Sequence, residues 1–259
     1  MVVGDDTRGR AVIRFHHRQP LGEIEPNGPS RYVPPMRLIG LTGGIGSGKS
    51  SVSSRLEERG AALVDADAIV RELQAPGQPV FDAMVDRWGE QIVADDGALD
   101  RAAVAGIVFS DKDELKAIES IVHPVLRREM DKRIGELVTT DQVVILDIPL
   151  LAESRAKDGA LDARGTSAII VVDCPVDTAV ARLVEHRGFD EADARARVAA
   201  QATREDRLSL ADFVVDNSGA VDALDAEIDR CWTWLASIDV TPWPPVPTDP
   251  PVETEPSAD

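Results

Sequence analysis

The chain has 259 residues, with 46 Asp and Glu against 28 Lys and Arg, a formal net charge of -18. That length can bury a sizeable core, and the acidic excess repels a phosphate backbone, so nucleic acid is not an expected partner, although a local arginine cluster could still hold one polyphosphate ligand. Apolar runs such as Ser167 to Val172 fall far short of the roughly 20 residues a membrane span needs. Cys174 and Cys231 form neither a CxxC pair nor a disulfide framework, so a cytoplasmic protein with no membrane partner is expected.

Residues 1–35 hold five of the 17 prolines. They contain no secretory signal, because Arg10, Arg14 and Arg18 break up the apolar stretch. This leader is expected to be disordered, and Met36, immediately before the first convincing strand, is the expected true start. That strand runs from Leu38 to Thr42. It leads into Gly43-Gly44-Ile45-Gly46-Ser47-Gly48-Lys49-Ser50, the pattern G-x-x-x-x-G-K-[ST], followed by an amphipathic helix. The glycines let the backbone turn tightly and aim its N–H groups inward, and the helix presents its positive end, so the loop makes a nest for phosphate oxygens. Lys49 would reach the β and γ phosphates, and Ser50 would offer its hydroxyl to Mg²⁺.

The next strand, Ala62 to Asp65, ends in Asp65-Ala66-Asp67. In a parallel sheet the C-terminal strand ends form the ligand crevice. One carboxylate there can cap the helix from Ala68 to Leu73 while the other accepts the proton of an attacking hydroxyl, for which Asp67 is the candidate; alternatively both merely cap the helix. Residues 76–137 contain no strand-like run. They carry helical periodicity (Leu115, Ile118, Ile121, Val122, then Val125, Leu126, Met130, Ile134) and read as a helical insertion, with His123-Pro124 capping a helix start. The strand Val143 to Asp147 ends in an acid that either holds Mg²⁺ through water or is purely structural. After the strand Ala168 to Asp173, residues 185–207 are nearly all charged or Ala, the composition of a mobile helical lid. Arg187, beside Gly188, is the candidate to close over the phosphates. A last strand covers Phe213 to Val215. Residues 237–259, with Pro242-Trp243-Pro244-Pro245-Val246-Pro247, are expected to be a disordered acidic tail. The strands are short, continuous and mostly β-branched, which suits a doubly wound α/β fold with a parallel sheet flanked by helices.

Together these residues resemble the dephospho-CoA kinase family over Met36 to about Ala236. The resemblance is carried by Leu41 to Ser50, Asp65-Ala66-Asp67 with Arg71, Phe109, His123-Pro124, Pro149-Leu150-Leu151 and Glu153. It continues in Gln201, Arg207, Ala211-Asp212 and Asp216-Asn217-Ser218-Gly219. It implies a P-loop kinase core over 36–236 with a helical CoA-binding insertion at about 76–137 and a lid at about 185–207. It also implies transfer of the ATP γ-phosphate, with Mg²⁺, to the ribose 3′-hydroxyl of the small molecule dephospho-CoA. Asp67, Lys49 and Arg187 then fall on catalytic positions. Gly44, Gly46, Ser47, Gly48, Lys49, Ser50 and Ser51 would bind nucleotide; Asp67, Arg71, His123 and Leu151 would bind the acceptor; Ser50 and Asp147 would bind metal. The chain departs from the family at Ala152, where an aromatic residue is common. The rival readings are a P-loop kinase acting on a nucleoside or nucleotide, a nucleotide-dependent switch, and a catalytically dead scaffold that uses the Pro-rich tail. The oligomeric state is not legible.

Overall fold

The computed structural model describes residues 3–5, 11–13, 36–138, 140, 142–149, 151–156 and 165–238. The chain divides into two units, Met1–Tyr32 and Val33–Asp259. In the first, β1 (Val3–Asp5) pairs antiparallel with β2 (Ala11–Ile13). The other leader residues on which disorder is expected, and tail residues 239–259, lie outside the described residues.

The second unit is built on five parallel strands: β3 (Arg37–Gly43), β4 (Ala62–Asp65), β5 (Val143–Asp147), β6 (Ala168–Asp173) and β7 (Phe213–Asp216), in the spatial order β4-β5-β3-β6-β7. Because side chains alternate across a strand, the sheet has two apolar faces. Ile39, Leu41, Val143, Ile145, Ile170 and Val172 pack with α1 (Lys49–Glu58) and α10 (Val221–Ala236). Leu38, Val144, Leu146, Ile169 and Val171 face the other way, into a cluster with the helical insertion. Continuous apolar runs rather than alternation in the sequence follow from this double burial.

On that second face lie α2 (Ala66–Leu73), α3 (Pro79–Trp88), α4 (Arg101–Ser110) and α5 (Lys112–Leu137). Each start is legible in its chemistry. Pro79 occupies the first turn of α3, Asp100 accepts from Ala102 and Ala103 N–H, and Asp111 accepts from Asp113 N–H. Glu114 on α5 accepts from Trp88 Nε1 at 2.8 Å and pairs with Arg87, which ties α3 to α5 and holds the Glu114 carboxyl below its ordinary range. Arg133 pairs with Glu72 and so ties α5 to α2. One expectation is corrected here: His123-Pro124 starts no helix, because Pro124 lies inside the continuous α5. Burial of Val122, Leu126, Met130 and Ile134 along one stripe holds the helix together across the proline.

The remaining helices are α6 (Leu151–Ala156), α7 (Val176–Arg187), α8 (Glu191–Ala199) and α9 (Arg204–Leu208). The charged segment also packs: its Ala194 is buried with Val180 and Leu183 of the preceding part of α7, and Ile45, Phe189 and Val198 pack on this cluster. Composition hid this, because three or four apolar side chains spread over two helices are enough. Among the described residues no helix is long and apolar enough to cross a membrane.

Candidate active site

The loop between β3 and α1 is held in a conformation that its glycines make accessible. Gly46 and Gly48 have φ of +78° and +86°, which side chains with a Cβ rarely adopt. The space is closed as well. A Cβ at Gly46 would lie 2.6 Å from the Ala179 carbonyl oxygen, one at Gly44 would lie 2.8 Å from the Arg207 guanidinium, and one at Gly48 would overlap the Asn217 amide. Ser47 N–H donates to Gly44 O at 3.0 Å, and the N-terminus of α1, capped by Gly48 in the left-handed conformation, has no side-chain cap. Ser51 and Val52 N–H donate to Gly48 O at 2.9 and 3.2 Å, and the N–H groups of Lys49 and Ser50 have no acceptor among the described residues, the arrangement that binds phosphate at the positive end of a helix. Ser47 Oγ is buried against Gly43 and has no hydrogen-bond partner among the described residues. Its backbone is held by the protein as well, N–H by Gly44 O and carbonyl by Asn217 and Arg182, so Ser47 fixes the shape of the loop.

Parallel register brings the strand-end acids to one level: Asp147 is opposite both Leu41 and Asp65. Asp147 is buried and forms an ion pair with Lys49. Burial pushes the Asp147 carboxyl above its ordinary range; Lys49 pulls it back, while Asp65 and Asp67 push in the same direction as burial. The two acids after β4 have separate surroundings. Asp65 Oδ1 accepts from Ala68 N–H at 2.9 Å and caps α2, whereas Asp67, in the first helical turn, is exposed and makes no hydrogen bond to a described residue. Of the two acids, Asp65 is the one whose side chain caps the helix through a hydrogen bond.

The remaining candidates are spread more widely. Ser50 and Ser51 are exposed in the first turn of α1, and Arg71 is exposed one turn beyond Asp67 on α2. His123 is half-buried in the middle of α5, and Leu151 is fully buried in the core at the start of α6. Arg187 is exposed at the C-terminal end of α7 and makes no ion pair or hydrogen bond to a described residue. The arginines that the fold brings to the loop are others. Arg182 reaches Ser47 O at 3.4 Å, and Arg207 lies against Gly44. Asn217 Nδ2 donates to Ser47 O at 2.7 Å, and Gln201 Oε1 accepts from Ile45 N–H at 2.8 Å. Gln201, Arg207 and Asn217 belong to the motifs that carry the resemblance, but nothing local in the sequence assigns them to the phosphate loop. Arg182 has no sequence signal, since its contact depends on how α7 docks.

The oxygen donors fit a divalent ion. They are the Ser50 hydroxyl at the start of α1 and the Asp147 carboxylate at the end of β5, hard ligands of the kind Mg²⁺ takes; among the described residues no cluster of three acids joins them.

The family model for dephospho-CoA kinase matches residues 37–223. A dephospho-CoA kinase of Streptomyces avermitilis is 45% identical over 200 residues, covering 77% of this chain and 94% of that protein. A crystal structure from Thermus thermophilus superposes with a TM-score of 0.64 at 30% identity, over 79% of this chain and 97% of that one. The dephospho-CoA kinase of Campylobacter jejuni has the same fold, with a TM-score of 0.57 at 20% identity over 78% and 98% of the two chains. With the phosphate loop, the paired Lys49 and Asp147, and the free Asp67 at the strand ends of a parallel sheet, this chain belongs to the dephospho-CoA kinase family.

Proposed function

We propose that the protein transfers the γ-phosphoryl group of ATP to the ribose 3′-hydroxyl of dephospho-CoA, giving CoA and ADP. The observation that carries this reading is the separation of roles between Asp65 and Asp67 beside the phosphate loop: one acid is engaged as a cap, and the other is left exposed to meet a hydroxyl. Asp67 accepts the proton of the 3′-hydroxyl as that oxygen forms its bond to the γ-phosphorus and the bond from phosphorus to ADP breaks. Lys49 leaves Asp147 to reach the β and γ phosphates, which lie on the N–H groups of Gly46, Gly48, Lys49 and Ser50, since those of Ile45, Ser47 and Ser51 are already donating within the protein. Ser50 and Asp147 would hold Mg²⁺, whose charge offsets that of the phosphates when it is bound. Residues 76–137 form the acceptor side, with Arg71, His123 and Leu151 shaping it. Residues 185–207 form the lid, from which Arg187 reaches the phosphates on closure. Two free, buried cysteines suit a reducing compartment and support a reaction in the cytoplasm.

A nucleoside or nucleotide kinase would use the same loop, and a switch would need no hydroxyl acceptor; family membership favours neither. The deciding experiment mixes the protein with Mg²⁺-ATP and either dephospho-CoA or nucleoside acceptors, and identifies products by mass. CoA made from dephospho-CoA alone is the expected result. ADP formation that depends on a nucleoside acceptor, or no acceptor-dependent ADP from protein that binds ATP, overturns it.

A further inference from the structure

The phosphate loop carries a tie that phosphate binding alone does not call for. Ile45 N–H donates to Gln201 Oε1 at 2.8 Å, and the N–H of the next residue along that strap, Ala202, donates to Glu153 Oε1 at 2.8 Å. The Ala202 carbonyl accepts from Arg207, whose guanidinium lies against Gly44. The segment that carries Glu153 is itself fastened to the strand leading into the loop, because Thr42 Oγ1 donates to Pro149 O at 3.3 Å. Residues 42–45 are thus held within a ring of contacts that runs from Thr42 to Pro149, along α6 to Glu153, across to Ala202 and Gln201, and back to Ile45. Among the described residues Glu153 has no cationic partner, so its charge is directed to one backbone N–H, a charge-assisted hydrogen bond stronger than a neutral one.

We propose that Glu153, acting through the Ala202 and Gln201 strap, is a positioning residue for the nucleotide. It orients the phosphate loop at Ile45 although it follows the Leu151 run on the acceptor side. Removing it leaves the Ala202 N–H without its acceptor and releases the strap that fixes Ile45, so the loss falls on ATP binding rather than on acceptor binding. The proposal rests on the kinase reading for its acceptor arm only, since ATP affinity can be measured with no acceptor present.

The test compares the wild-type protein with Glu153→Ala, Glu153→Gln, Gln201→Ala and the double variant that carries both alanines. It measures ATP affinity by calorimetry without acceptor, KM for both substrates, and folding by circular dichroism. Glu153→Ala and Gln201→Ala are each expected to weaken ATP binding about tenfold while the KM for dephospho-CoA changes by less than about twofold. Glu153→Gln keeps an oxygen acceptor for the Ala202 N–H and is expected to restore ATP affinity to within about threefold of the wild type. The double alanine variant should bind ATP no more weakly than the worse single one, because the two residues act in series. A raised KM for dephospho-CoA with ATP affinity unchanged in Glu153→Ala overturns the proposal. If Glu153→Ala fails to fold, Gln201→Ala decides, and wild-type ATP affinity in that variant overturns it equally. A wild-type protein that binds ATP but makes no CoA would count against the kinase reading and leave the ATP-affinity comparison standing.

Discussion

Asp65 and Asp67 are two residues apart, yet the fold gives them different work. The Asp65 carboxylate is held by Ala68 N–H at 2.9 Å, and Asp67 makes no hydrogen bond to a described residue. Asp65→Ala should therefore cost about 1 kcal/mol of stability, the usual effect of losing a cap, visible as a lower denaturation midpoint. Asp67→Asn should leave the midpoint unchanged and lower kcat by about 10² to 10⁴, the range of a lost general base. Near-normal turnover in Asp67→Asn would remove that role. From the sequence Asp67 is the candidate base, with the alternative that both acids cap left open, because only the path of the first turn of α2 separates the two carboxylates of D-A-D. The places of Lys49 and Ser50 were legible at once, since the motif puts them where the loop enters α1. The arginines were not. Arg182 and Arg207 reach the loop only because α7 and α9 dock there, while Arg187, picked out by its neighbouring glycine, is exposed in this conformation.

At the scale of elements, the phosphate loop is a strand-to-helix turn whose glycines face different constraints from glycines elsewhere. Gly48 and Gly77 both have positive φ, +86° and +79°, but a Cβ at Gly48 would overlap Asn217, whereas nothing lies within 4 Å of one at Gly77. Gly77→Ala should thus cost only backbone strain, about 1 kcal/mol of stability, with the KM for ATP unchanged. Gly48→Ala adds displacement of Asn217 and of the Ser47 carbonyl it holds, and should weaken ATP binding by about 10- to 100-fold. Titration of both variants with ATP checks this, and equal affinities would show that the Asn217 contact is not what shapes the loop. Strands were legible in the sequence because double burial writes itself as continuous β-branched runs. The two places where helices differ from expectation have a common cause. Pro124 interrupts local helix propensity but not the buried stripe of α5, and the packing of Ala194 against Val180 and Leu183 is invisible in a segment dominated by charge. In both, tertiary packing outweighs local composition.

For the whole molecule, the strand order β4-β5-β3-β6-β7 places β3 at the centre, with the chain passing over β5 to reach β4 before returning. That reversal puts the phosphate loop at the crevice between β5 and β6, the place where open parallel sheets bind ligands. The order itself was not legible, because alternating strands and helices fix the layer architecture but not which strands become neighbours. Ligand binding at this crevice should be felt throughout the unit, and Cys231 offers a way to read it. Cys231 is fully buried on α10, in the cluster that also contains Leu41, Val52 and Ile170, and burial pushes its thiol up to about 12. Alkylation needs the exposed thiolate, so under native conditions it must wait for α10 to leave the sheet. A ligand that binds only the folded chain lowers the population of the open form by the factor 1 + [L]/Kd, so ATP at about 100 times its Kd should slow Cys231 alkylation about 100-fold. The measurement uses a Cys174→Ser variant, so that Cys231 alone is read, and follows mass against time in a slow alkylating reagent with and without Mg²⁺-ATP. A rate that ignores ATP would mean that α10 opens on its own. The face of the sheet carrying α1 and α10 would then be uncoupled from the loop at its edge, contrary to the continuous packing of α1, β3 and α10 described above.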